Sequence, residues 1–323
     1  MVCIDVHHHF FPLSLQKDKP KADLGWRTPA ENLPWTPELS VKAMDDLGID
    51  MAILSLPAIP SGEISQENRS LARERNLYLF EVCKTYPRRY GFFACIPFLH
   101  DIEGVLAEIA YAFDELNADG ISLASSYGEG PEAVYIGDER FDPIWAALHH
   151  RKAVVFLHGT QTPCSTPIPH PFLGVPITEV PNETFKAAAH LVVSGRKRKY
   201  PDVKVILAHM GGTLPSLAPR IAALSSYMGC PLTPEEILDD FRSFYFDTAL
   251  SSHEVTLTAI NNFVEPNRVL FGSDFPAVNR ETVNWYTKQL RQYAAGEEEK
   301  LDGIFCKNAL ELFPRLRNLI VDA

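Results

Sequence analysis

Eight short apolar runs, each separated from the next by other segments, constrain this chain more than any other feature. They are Cys3–His7, Met51–Leu56, Gly91–Ile96, Gly120–Leu123, Ala153–His158, Lys204–His209, Ser243–Asp247 and Arg268–Gly272. Runs of this length and composition read as buried strands. Between them lie segments with helical spacing: Thr36–Leu47, Gln66–Tyr86, Ile102–Leu116, Phe141–Arg151, Asn182–Ser194 and Val255–Asn262. Thr36 before Pro37 and Asn182 before Glu183 suit helix caps. Strands alternating with helices imply parallel strands joined by right-handed crossovers. The expected fold class is therefore α/β, a (β/α)8 TIM barrel with its active site at the C-terminal strand ends. A length of 323 residues suits one such domain over 1–323. Residues 293–323 read as terminal helices packing on the barrel through Phe305, Leu310, Leu312, Phe313 and Leu316.

The formal charge of -11 argues against a nucleic-acid or anionic-membrane surface. The basic run Arg196-Lys197-Arg198-Lys199 reads as a solvated helix end, where cations oppose the negative end of the dipole. Cys3, Cys83, Cys95, Cys164, Cys230 and Cys306 lie far apart with no zinc-ribbon spacing, so free thiols in a reducing compartment are expected. The start of the chain lacks a basic region followed by an apolar stretch, and no apolar segment approaches the roughly 20 residues of a membrane span. A soluble, cytoplasmic protein is the expectation. Two long loops, residues 12–35 and 159–181, leave the catalytic face, where such loops build substrate pockets.

Four of the apolar runs lead to residues able to bind a metal or move a proton. In His7-His8-His9 the strand period of two puts His7 and His9 on one face and His8 on the other. Two imidazoles on one face of a first barrel strand make a natural metal pair; His8 takes a supporting place. His158 ends the most apolar run, and His209 ends another before Met210-Gly211-Gly212, where glycines permit a tight turn beside a ligand. Asp274, in Gly272-Ser273-Asp274-Phe275-Pro276, follows the last run; a buried aspartate is costly unless paired or bound to metal. Jointly these residues point to a metal site.

These motifs, in this order, resemble the amidohydrolase superfamily, and within it the decarboxylase branch typified by aminocarboxymuconate semialdehyde decarboxylase. The resemblance runs from Asp5-Val6-His7-His8-His9 through Ala208-His209-Met210-Gly211-Gly212 to Phe275-Pro276. The stretch Phe185–Arg220, with Tyr200-Pro201 and Pro215–Arg220, is characteristic of that branch. The resemblance implies a metal-dependent barrel with His7, His9, His158 and Asp274 as ligands and His209 as an acid/base beside them. It implies that Arg220 reaches a neighbouring subunit's site and holds a substrate carboxylate, hence a homodimer at least. The family's other substrate arginine finds its nearest candidate in Arg27. Gly120-Ile121-Ser122-Leu123-Ala124 has no lysine to carbamylate, so one metal is expected. Zinc fits three imidazoles and one carboxylate; manganese serves some related aromatic decarboxylases.

The chain is also similar to the fungal-type 6-methylsalicylate decarboxylases of polyketide pathways, through its length, the Phe-Pro after the triple histidine and Val180-Pro181-Asn182-Glu183-Thr184 at the expected entry to a helix. That resemblance implies non-oxidative loss of carbon dioxide from an ortho-hydroxy aromatic acid, giving 3-methylphenol. Protonation of the carboxylate-bearing ring carbon, by Asp274 or His209, would precede loss of carbon dioxide. Phe10, Phe172 and Phe275 are expected near the mouth, flanking the ring. The alternatives are a decarboxylase of another hydroxybenzoate or of aminocarboxymuconate semialdehyde, a metal-dependent lactonase of the same fold, and a non-catalytic binding protein.

Overall fold

A computed structural model describes residues 1–12, 26–59, 62–160 and 170–320. Residues 13–25 and 161–169, which include parts of the two expected long loops and Cys164, lie outside the described residues. The strands are β1 (Ile4–His9), β2 (Met51–Ser55), β3 (Tyr90–Ala94), β4 (Gly120–Ala124), β5 (Ser126–Tyr127), β6 (Val134–Tyr135), β7 (Val154–His158), β8 (Lys204–Leu207), β9 (Tyr245–Asp247) and β10 (Val269–Leu270). All but β5 and β6, which pair as a small hairpin, form one sheet in the order β1-β2-β3-β4-β7-β8-β9-β10. Every pairing in that sheet is parallel. Backbone bonds join the two ends: Val6 donates to Phe271 (3.0 Å), Asp274 to His7 (2.9 Å) and His9 to Phe275 (2.7 Å). The sheet is therefore a closed eight-stranded barrel, as the eight apolar runs predict.

The helices are α1 (Pro37–Leu47), α2 (Gln66–Thr85), α3 (Ile102–Asp114), α4 (Asp142–His150), α5 (Val175–Val193), α6 (Arg196–Lys199), α7 (Leu214–Tyr227), α8 (Pro234–Arg242), α9 (Glu254–Asn261) and α10 (Arg280–Tyr293). Three shorter ones, α11 (Glu298–Asp302), α12 (Asn308–Leu312) and α13 (Pro314–Ile320), complete the described chain. None is long and apolar enough to cross a membrane. Apolar side chains form two main layers. Ile4, Val6, Ile53, Phe93, Phe156 and Ile206 fill the barrel, and Phe313 and Leu316 of the terminal segment join them. Arg315 fixes that segment by pairing at 2.7 Å with Asp119, just before β4, so it packs where the strands begin. The larger layer lies between the barrel and its helices.

Two local expectations need correction. Asn182 does not cap a helix: α5 begins at Val175, with a proline in its first turn, and the Asn182 amide donates 2.9 Å back to the Thr178 carbonyl. Proline is tolerated in a first turn because the N–H there has no partner in the helix. The segment Val180–Thr184 is thus helix interior, with Pro181 removing one donor from the ladder. The basic run is not a solvated end of α5 but a separate turn, α6, drawn onto acidic neighbours. Arg196 and Lys199 bond Asp142 (3.1 and 2.6 Å), Arg198 bonds Glu236 and Asp240 (2.6 and 3.1 Å), and Lys197 is buried beside the Phe244 ring.

Candidate active site

The end of β1 departs from plain alternation, and the departure builds the site. Asp5 pairs with Ala52 and His8 with Leu54, so β1 carries one residue more than β2 across the same span. Such a bulge places two successive residues on one face. Val6 belongs to the barrel interior, and His7 follows it inward with its ring edge-on to Phe156 at 4.9 Å. His8 then faces the helices, where Nδ1 donates to Asp5 Oδ2 (2.9 Å) and Nε2 accepts from the Ser40 hydroxyl of α1 (2.8 Å). His9 faces inward again. The Asp5 carboxylate pins the irregular segment by accepting the backbone N–H groups of His7 (3.0 Å) and Ser273 (3.1 Å).

His158 ends β7, His209 follows β8, and Asp274 lies in the turn after β10. Ligand atoms of His7, His9, His158 and Asp274 lie within 4.8 Å of one another, and all four residues are buried. Both His7 Nε2 and His9 Nε2 stand 3.3 Å from Asp274 Oδ1, and 3.1 Å from each other. His209 stands further back, its Nε2 4.0 Å from Asp274 Oδ2.

The outer nitrogens show how the rings are set. His7 Nδ1 donates to Asp247 Oδ2 (2.9 Å), His158 Nδ1 to the Gly159 carbonyl (2.8 Å) and His209 Nδ1 to the Ala249 carbonyl (3.1 Å), while His9 Nδ1 meets both the hydroxyl (2.9 Å) and the carbonyl (3.3 Å) of Ser55. Carbonyls and carboxylates only accept, so Nδ1 of His7, His158 and His209 carries a proton, and each of these rings when neutral offers its Nε2 lone pair inward. Three convergent imidazole nitrogens and a carboxylate oxygen, buried and held by outer hydrogen bonds, fit a single divalent metal.

Charge in the metal-free cluster is divided unevenly. Burial opposes a charge on His7, yet the carboxylates of Asp247 and Asp274 outweigh it and carry the ring up to about 10. His158 is pushed well below the ordinary value by burial and by cationic His7; His9 and His209 are lowered for the same leading reason, burial. Burial would raise Asp274, but the His7 charge and hydrogen bonds from His7 and His9 hold it well below the usual carboxylate range.

Other expected site residues are more scattered. Arg27 is exposed on a loop docked at the mouth: neighbouring Trp26 donates to the Ala277 carbonyl (3.2 Å), three residues past Asp274. Arg220 is exposed on α7, and among the described residues it makes no ion pair. Phe172 is 81% exposed. Phe10 and Phe275 require correction, because both are fully buried in the layer between barrel and helices. Alternation puts Phe10 on the His8 side, against Trp35 and Tyr78, while the Phe275 ring lies 4.9 Å from that of His8. The parts played by Asp5, Ser273 and Asp247 are not marked by any local pattern in the sequence. Asp247 carries a signal of position only, an acidic residue closing an apolar run.

The amidohydrolase family model matches residues 4–315. A 6-methylsalicylic acid decarboxylase of Aspergillus aculeatus is 42% identical over 326 residues, spanning 97% of this chain and 96% of the relative. Another of that name from Penicillium expansum is 41% identical over 327 residues, spanning 99% and 98%. Among solved structures, a dihydroxybenzoic acid decarboxylase of Polaromonas with bound manganese and 2-nitroresorcinol superposes with a TM-score of 0.82, at 26% identity and over 97% of each chain. A match of this extent, on a barrel whose strand ends gather metal-binding side chains, means that the chain belongs to the amidohydrolase family.

Proposed function

We propose that this chain is a metal-dependent, non-oxidative decarboxylase that converts 6-methylsalicylate to 3-methylphenol and carbon dioxide. The observation that carries the reading is the 42% identity, over almost the whole chain, to an enzyme named for that substrate. The buried cluster of three imidazoles and a carboxylate suits it chemically. When bound, a divalent metal would supply positive charge that stabilises the substrate's negative charge as it moves through the ring. His7, His9, His158 and Asp274 hold it; zinc suits this donor set, and manganese is the alternative.

The chain's own residues handle the proton. Direct loss of carbon dioxide would leave an aryl carbanion, so the carboxylate-bearing carbon is protonated first. On binding, the substrate's ortho hydroxyl passes its proton to the ionised Asp274, the proposed donor, which delivers it to that carbon through Oδ2, the oxygen that faces His209 at 4.0 Å; the phenolate product recovers a proton from water on release. The carbon–carbon bond then breaks, its electron pair restores the aromatic ring, and carbon dioxide leaves. His209, held by Ala249, orients the substrate and stabilises the charge that moves through the ring. Purified, metal-loaded protein should release 3-methylphenol from 6-methylsalicylate, followed by chromatography; no product would overturn the reading.

The proposal extends to one domain over 1–323, acting in the cytoplasm within a polyketide pathway. Free Cys3, Cys83, Cys95, Cys230 and Cys306 support a reducing compartment. A homodimer completes it, with Arg220 and Arg27 gripping the substrate carboxylate and Phe172 near the ring. Exposed Leu224, Tyr227 and Met228 at the end of α7 that follows Arg220 support a protein contact there.

A further inference from the structure

Asp247 ends β9 with a fully buried side chain that touches none of the inward nitrogens, yet it reaches both histidine groups of the site. Oδ2 accepts from His7 Nδ1 at 2.9 Å. Oδ1 accepts two backbone N–H groups, from His209 at 3.1 Å and from Ala249 at 2.9 Å. The second bond folds the chain beyond β9 so that the Ala249 carbonyl meets His209 Nδ1 at 3.1 Å. The first supports His209 in a left-handed backbone conformation, φ 55° and ψ 47°. Such a conformation costs about 1–3 kcal/mol in a non-glycine residue and persists only where its surroundings hold it.

The geometry points to Asp247 as the positioning residue of this site, one carboxylate that sets the His7 tautomer with one oxygen and the His209 ring with the other. The inference rests on the metal-dependent reading of the cluster. A carboxylate can only accept, so it forces the His7 proton onto Nδ1 and leaves Nε2 as the lone pair directed at His9, His158 and Asp274. A plain structural role would need some polar partner for His7; a positioning role needs an acceptor and nothing else.

Asp247→Asn separates these two roles. The single amide oxygen stays with the two backbone N–H groups, which turns the NH2 group toward His7 Nδ1. That nitrogen must then accept, its proton moves to Nε2, and the metal loses its ligand. Zinc affinity, measured by competition with a chromophoric chelator, should weaken about 10- to 100-fold, as for other groups that orient a ligating histidine. The unfolding midpoint of the metal-free variant should stay close to that of the unaltered protein. An unchanged zinc Kd in Asp247→Asn would overturn the inference and leave the metal-dependent reading standing. Should the unaltered protein take up neither zinc nor manganese, the reading and the inference fall together. A second measurement needs no variant. Nitrogen-15 spectra of the zinc-loaded protein should show His7 protonated at Nδ1 and metal-bound at Nε2; the reverse would also refute the assignment.

Discussion

Each imidazole of the cluster has its outer nitrogen engaged, and the consequences differ from residue to residue. His158 gives Nδ1–H to its neighbour's carbonyl and is held neutral by burial, which leaves its Nε2 lone pair free for a metal. His158→Ala should abolish metal binding and turnover while circular dichroism shows the fold retained; activity surviving the change would remove His158 from the ligand set. His209 stands outside the group of four, near the oxygen of Asp274 proposed to carry the proton. His209→Asn should therefore keep its metal, by elemental analysis, and lose about 10²- to 10⁴-fold in kcat, the usual scale for a proton-handling or charge-stabilising side chain. A metal-free His209→Asn protein would instead make His209 a ligand. These positions are readable in the sequence because histidines at the ends of apolar runs are conspicuous, whereas the division of labour between them is implied only by the family resemblance. Asp247 is not conspicuous, because its meaning depends on β9 lying close enough to β1 and to the turn after β8 for one carboxylate to reach His7 and His209.

Strand β1 shows where legibility stops. Its apolar start and the inward pair His7 and His9 follow from composition and period, but a strict period from Ile4 and Val6 would bring His8 inward. The extra residue between Asp5 and His8 resolves the conflict, and what stabilises it is Ser273, 268 positions away. No local pattern encodes that partner. Helix α5 hides its start for another reason: its Pro176 and Pro181 read as loop, whereas one sits in a first turn and the other inside the helix. The barrel strands are plain because both faces are buried; the irregular pieces that shape the site owe their form to distant contacts. Asp5→Ala tests this at the level of the strand. It strips buried partners from His8 Nδ1, Ser273 Oγ and the His7 and Ser273 backbone N–H groups. Each unpaired buried group costs about 1–3 kcal/mol, so denaturant unfolding should show a loss of about 3 kcal/mol or more. Metal affinity should fall as well, as His7 and His9 lose their inward setting. Unchanged affinity would show that strand pairing alone holds the bulge.

For the molecule as a whole, the four strand ends bring imidazoles and carboxylates together at a cost that depends on pH. Metal-free His9, His158 and His209 have lowered values, so the unfolded chain binds more protons there; their contribution is present above the ordinary 6.5 and lost as pH falls through the folded values. His7 is raised to about 10, so its contribution is present below 6.5 and lost as pH rises through about 10. On these groups alone the metal-free protein should therefore melt highest near pH 6.5, where both contributions are present. A metal held as proposed would change the balance, because it would replace the proton on His7 Nε2 and need all three ligating rings neutral. At a free concentration of about 100 times Kd it adds roughly 2.7 kcal/mol, equivalent to about 5 °C in Tm for a chain of this size. Removing it with a chelator should lower Tm by that amount near pH 8, and the difference should shrink toward about pH 6 as protons compete for the same nitrogens. Thermal scans with and without chelator across that range check the whole arrangement at once. A Tm indifferent to chelator at every pH would mean that these strand ends converge without holding a metal.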